Sequence, residues 1–209
     1  MAYGITKIYF FLFFSLLCND LLAVNTDSFM RLSLENEILV EIGERAGKAP
    51  WVRATTEING SAGKIAELLS DFTRYAEIFS ECFASARVLE MKQRTARLHI
   101  VWSYPIFFRN RDSINRYEIQ KKSDGSYRLN WTEDSRPGDP SEGVRLTEVE
   151  GSVEITPLEP NRSRLIYRYI GDMGGDFSKA IKEAAWKREP EHFFRAIVNE
   201  LKTRTKTTQ

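Results

Sequence analysis

Few side chains in this sequence have the type and spacing for chemistry. The chain holds two histidines, His99 and His192, in segments far apart. It has no spaced cluster of His, Cys or carboxylates, so the spacing predicts no metal site and no cofactor. No Ser, Cys or Thr stands beside an evident base, which leaves no nucleophile. "GDMGGD" (171–176) is a glycine turn. It lacks the lysine and serine of a phosphate loop and the three-glycine dinucleotide pattern, and so reads as a plain turn. What remains is a set of polar groups inside apolar segments. Arg111 and Asp112 sit in "YPIFFRNRDSINRYEIQ" (104–120), and Glu133, Arg145 and the hydroxyls of Tyr117, Tyr167 and Tyr169 lie further on. Such groups can fix the polar end of a ligand or move protons. Neighbouring strand residues point to opposite faces, so Arg111 and Asp112 cannot both face one cavity in a regular strand. Either one of them fixes a head group, or the two tie the strand start to a loop. The cost of an unpaired buried charge favours the second role. Glu133 and Arg145 can face each other across neighbouring strands as a paired polar spot.

The elements that must position these groups follow from periodicity. "TDSFMRLSLENE" is read as a short helix. "EILVEIGER" and "WVRATTEI" alternate, with Ile38, Val40 and Ile42 on one face and Val52, Ala54, Thr56 and Ile58 on another, which predicts a hairpin. Ile65, Leu68, Leu69 and Phe72 then recur at helical spacing, with Asn59 or Ser61 as cap, and a shorter helical piece spans Tyr75 to Phe79. Six strand-like stretches follow from "SARVLEMKQ" to "SRLIYRYIGDM", with "GVRLTEVEGSVEITPL" as one of them and a Pro- and Gly-rich loop at 135–143. No helices intervene, so the strands form an antiparallel meander. Strand parity puts Leu98, Ile100 and Trp102 on one face. It does the same for Tyr117 with Ile119, for Leu129, Trp131 and Glu133, and for Leu165, Tyr167 and Tyr169. The chain closes with a helix over about 178–202, capped by Ser178 or Asp176. Ile181, Ala184, Ala185, Phe194, Ile197, Val198 and Leu201 form its apolar stripe, and Pro190 should kink or split it.

The 209 residues are 42% hydrophobic, with 30 basic against 29 acidic side chains. That suits one domain with a full core and lacks the basic excess of a nucleic-acid binder. After Lys7 an apolar run leads to "NDLLA". It is shorter than the about 20 residues that span a bilayer, so residues 1–23 read as a signal peptide cleaved after Ala23. An uncleaved N-terminal anchor is the alternative. The bulky Leu17 argues against lipidation of Cys18. Cleavage leaves Cys82 alone, without an internal disulfide, as a small buried apolar residue. The chain is thus expected to be exported, periplasmic or secreted, with a polar tail at 204–209.

Five stretches, in order, resemble the START domain, the lipid-binding branch of the helix-grip superfamily that includes the birch pollen allergen. "EILVEIGER…WVRATTEI" resembles its opening hairpin. "KIAELLSDFTRYAEIF…ARVLE" resembles its aspartate-ended helix, aromatic turn and next strand. "YPIFFRNRDSINR" resembles its proline, Arg-Asp and strand. "GSVEITPLEPNRSRLIYRYIGDMGG" resembles its late hairpin and Asp-x-Gly-Gly turn, and "AIKEAAWKREPEHFFRAI" its closing helix. The likeness spans about residues 32–202. It implies an α+β helix-grip domain over 24–203, a curved antiparallel sheet wrapped around a long C-terminal helix. It also implies a cavity for one hydrophobic molecule beneath that helix.

The leading expectation is a monomer, not an enzyme, that encapsulates a lipid or other hydrophobic small molecule and makes transient membrane contact. Leu98, Ile100, Trp102, Tyr117, Trp131, Tyr167 and Tyr169 would line the cavity, with Ile181, Ala185 and Phe194 from the helix. Arg111, Asp112, Glu133 and Arg145 are its polar candidates. The alternatives are a cyclase or hydrolase with Arg111, Glu133 or Tyr167 as acid–base groups, and an interaction protein whose cavity is filled by Trp102, Trp131 and Tyr167.

Overall fold

A computed structural model of the protein describes residues 29–102, 108–175 and 177–207. The signal segment with Cys18, the aromatics Tyr104 and Phe107, and the cap candidate Asp176 lie outside the described residues.

The first element corrects an expectation. Phe29–Glu35 is a strand, β1, and not a helix. Asn36 and Glu37 follow with φ of 50° and 63°. Two successive left-handed residues make the tight hairpin turn whose twist matches antiparallel strands. The turn leads into β2 (Ile38–Gly43), with Leu34 opposite Leu39. The predicted hairpin then forms between β2 and β3 (Trp51–Asn59), and Val52, Ala54, Thr56 and Ile58 are all buried.

Helix α1 (Ala62–Ser70) starts at Ser61, whose hydroxyl accepts from the Lys64 N–H. It buries Ile65, Leu68 and Leu69, the stripe that periodicity predicts. A 3₁₀ turn (Phe72–Arg74) and α2 (Tyr75–Ile78) follow.

The meander comprises β4 (Ser85–Lys92), β5 (Thr95–Trp102), β6 (Arg111–Lys121), β7 (Tyr127–Glu133), β9 (Glu150–Glu159) and β10 (Arg162–Ile170), with β8 (Val144–Arg145) off its path. The single strand predicted over 143–158 is thus divided. β8 pairs parallel with the start of β6, Asp112 opposite Arg145, on the edge that β7 leaves free. The ten strands form one curved sheet ordered β1-β2-β3-β10-β9-β7-β6-β5-β4. Pairing of β10 with β3, from Arg162 opposite Asn59 to Ile170 opposite Trp51, joins the opening strands to the meander.

The closing helix α3 runs unbroken from Lys179 to Thr207 with Pro190 inside it. The proline does not split it, although its ring removes one helical donor. The helix also continues into the expected polar tail, as far as Thr207. Arg204 is bonded to Glu200 and to Asp71, each at 2.8 Å, and these ion pairs hold the last turns against α1. At the other end the Ser178 hydroxyl accepts from the Ile181 N–H.

Candidate functional site

Between the concave face of the sheet and α3 lies a cavity of about 100 Å³. Its floor comes from three strands whose period-two alternation turns aromatic rings inward. Tyr117 of β6 stands opposite Trp131 of β7, and Trp131 opposite Gly151 of β9. Gly151 has to lack a side chain, because a Cβ there would lie 2.1 Å from the Trp131 ring. Ring centroids of Tyr117 and Trp131 are 5.8 Å apart, and those of Tyr167 and Tyr169 are 4.9 Å apart. The lid stacks on this floor, with the Phe193 ring 4.4 Å from Tyr167. Trp186 closes one side and donates its indole N–H to the Gly171 carbonyl at 3.0 Å.

The lid also carries an acid. Glu189 lines the cavity from α3, one helical turn from both Ala185 and Phe193. The Tyr167 hydroxyl donates to its carboxylate at 2.8 Å. Burial raises the Glu189 pKa above the usual carboxylate range, and the hydrogen bond from Tyr167 opposes that rise. Burial likewise pushes the Tyr167 hydroxyl well up, with the neighbouring carboxylate adding to it. Tyr117 and the Cys82 thiol are also raised by burial. Glu189 did not emerge from the sequence. Its signal was its place four residues from Ala185 and from Phe193, but the charged run "KREPE" hid it.

The other candidates divide. Trp102, Tyr117, Trp131, Tyr167, Tyr169 and Ala185 line the cavity. Leu98 and Ile100 are fully buried core and lie behind the lining. Phe194 packs in the core at the edge of Tyr167, with centroids 6.3 Å apart, and its neighbour Phe193 takes the cavity position. Ile181 is 42% exposed, in a first turn of α3 where Lys179 and Ala180 are exposed too.

The expected polar candidates sit outside the lining. Arg111 donates to the carbonyls of Met173 at 2.9 Å and Gly174 at 2.7 Å, and also to that of Arg109. Its guanidinium lies 5.0 Å from the Phe177 ring centroid. It therefore holds the Gly-rich turn before α3 in shape and lies outside the cavity lining. Asp112 is fully buried on the opposite face, under the loop at 134–146. It accepts from His99 and Arg145, each at 2.8 Å, and from the Glu142 N–H at 3.1 Å. Burial alone would raise its pKa, but these donors outweigh it and hold the carboxyl below its ordinary value. Arg145 thus pairs with Asp112, and the expected pair with Glu133 does not form. The Glu133 carboxylate accepts instead from the Ser135 N–H at 3.0 Å. Among the described residues no group of three or more His, Cys, Asp or Glu could hold a metal ion.

Comparison with solved structures gives this architecture its class. A STAR-related lipid transfer protein fragment from Xanthomonas axonopodis superposes with a TM-score of 0.73 at 16% identity, covering 84% of this chain and 99% of its own. Human StAR-related lipid transfer protein 5 gives 0.73 at 13%, covering 86% and 89%. The Zhui aromatase/cyclase from a Streptomyces species gives 0.55 at 16%, covering 74% and 94%. No family model and no curated protein matches the chain. The fold is the START-like helix grip, one that lipid-transfer proteins and cyclases share.

Proposed function

We propose that the protein binds a lipid or similarly hydrophobic molecule in the cavity beneath α3, as a carrier and not as an enzyme. The observation that carries this reading is the ring-lined space between Tyr117, Trp131 and Tyr167 on the sheet and Trp186 and Phe193 on the lid. Binding sites for small molecules usually span ~300–1,000 Å³. The present space is smaller, so α3 must lift and Phe193 must leave Tyr167 to admit an acyl-sized body. Burying about 300 Å² of apolar ligand surface contributes roughly 7 kcal/mol, against which stand the lost ring contacts and the ordering cost of association. Protein purified from its own host, extracted into organic solvent and analysed by mass spectrometry should release one hydrophobic species in near-equal molar amount. An empty protein that also binds no member of a lipid and quinone screen would refute the reading.

A second reading, a cyclase-type enzyme, is supported by the Tyr167–Glu189 contact, a half-buried acid and a buried hydroxyl within proton-transfer reach. Of the acid–base groups suggested by sequence, only Tyr167 lines the cavity.

A further inference from the structure

We propose that the cavity selects a ligand whose apolar body carries an ammonium group, with Glu189 as its counter-ion. This rests on the hydrophobic-ligand reading above and adds the chemical class of the head group.

The first argument is charge. The described residues lining the cavity include Glu148, Glu150, Asp172 and Glu189, and none is Lys, Arg or His. Three of these carboxylates sit toward the rim, and two already have partners. Glu148 is paired with Arg45 and Lys48, and Asp172 accepts from the Gly174 N–H. Glu189 differs. The hydroxyl that donates to it, that of Tyr167, carries no charge, and it joins no ion pair among the described residues. On α3, Arg188 donates to His192 at 3.1 Å and Arg195 pairs with Glu81. Arg111 is held by the Met173 and Gly174 carbonyls. A half-buried carboxylate without a counter-charge is costly, and a ligand ammonium supplies what the chain omits.

The second argument is the wall. Tyr117, Trp131 and Tyr167 form a continuous aromatic row, Tyr117 stacked on Trp131 and Trp131 tilted against Tyr167, with successive centroids 5.8 Å apart. Aromatic faces carry the negative side of the ring quadrupole and attract cations, most strongly when desolvated. Carboxylate and ring faces thus favour the same sign. An anionic head, whether carboxylate or phosphate, would meet repulsion from Glu189 and find no guanidinium or ammonium in the lining. A neutral alcohol would leave the Glu189 charge uncompensated. The acidic rim also draws cations toward the opening.

Titration calorimetry of the full chain at pH 7.5 with decylamine, 1-decanol and decanoate, each below its micellar concentration, tests the proposal. The wild type should bind decylamine about tenfold tighter than decanol, a modest value for a partly desolvated ion pair, and decanoate most weakly. In Glu189→Gln the amine's lead should shrink to about twofold or less while decanol binding persists, since only the charge is removed. Equal binding of amine and alcohol by the wild type would overturn the selection and leave hydrophobic binding standing. A lead that survives in a Glu189→Gln variant with wild-type circular dichroism would also overturn it. The wild-type series decides alone if the variant does not fold. If none of the three probes binds the wild type, the ligand-binding reading fails with the proposal.

Discussion

Asp112 and Glu189 are both carboxyl groups withdrawn from bulk water, on opposite faces of the same sheet, and their surroundings are opposites. Asp112 is surrounded by donors, among them the Arg145 guanidinium and the His99 ring. Its pKa is lowered. Glu189 accepts from the Tyr167 hydroxyl beside a row of aromatic rings, and its pKa is raised. A carboxylate whose charge is balanced by its own chain serves the architecture. Asp112 fastens the loop at 134–146, through the Glu142 N–H and Arg145, to the outer face of β5 and β6. A carboxylate left unbalanced inside an apolar cavity is poised to receive something from outside. The contrast assigns a structural role to the Arg-Asp stretch that stands out in the sequence, and moves the site to a residue that does not.

The strongest way to break this contrast is to empty the outer cluster. Asp112→Ala leaves Arg145 and His99 without their shared acceptor, so we predict a loss of about 3 kcal/mol in urea unfolding, the low end for breaking a buried pair, since Arg145 is partly exposed. Ligand affinity should change little by comparison. The sign with pH follows from the lowered pKa. Asp112 contributes fully above its unfolded value of 3.8, and the contribution fades as pH falls through the lower folded value. The gap between wild type and variant should therefore narrow in acid. A variant of wild-type stability would show that the cluster holds nothing.

How much of this was legible in the sequence depends on the range of the interaction. Period-two alternation places Tyr117, Trp131, Tyr167 and Tyr169 correctly, because each lies in a regular strand with one face against the lid. The stripe of α3 is legible for Ala185 and Ile197 in the same way. Alternation cannot reveal the chain crossing that brings Arg145 over Asp112, since the loop between them has no period. It also misleads in the first half of β6, which is buried on both faces, Arg111 through Asn115. Ile181 fails because helical spacing says which face a residue is on and not whether another element covers it. β1 was misread because the Asn36–Glu37 turn, with glutamate in a left-handed conformation, lacks the usual glycine.

A smaller test lies inside the cavity. Tyr167→Phe removes the hydroxyl donated to Glu189 and keeps the ring that stacks on Phe193 and Tyr169. A loss of about 1 kcal/mol is expected, the net worth of a typical hydrogen bond. A much larger loss would mean that the Tyr167–Glu189 contact is itself a closed structural pair like that of Asp112, which would remove the contrast.

The smallest change in stability, and the sharpest in sign, is expected for Glu189→Gln. An acid whose folded pKa lies above its unfolded value of 4.5 holds its proton more tightly when folded. The wild type is then favoured at low pH and loses stability as pH rises from about 4.5 through the folded value. Tyr167 and Cys82, which share these surroundings, are pushed upward by burial and stay neutral over that range. Glutamine keeps the shape and cannot ionise. Urea unfolding at pH 4 should find the two proteins equal within about 0.5 kcal/mol, and at pH 7.5 the variant should be the more stable of the two. Decylamine at saturation should stabilise the wild type more than the variant, since it binds only the folded state and prefers the ionised carboxyl. A variant less stable than wild type at pH 7.5 would mean that the Glu189 charge is already balanced within the fold, and that the two carboxyls play the same part.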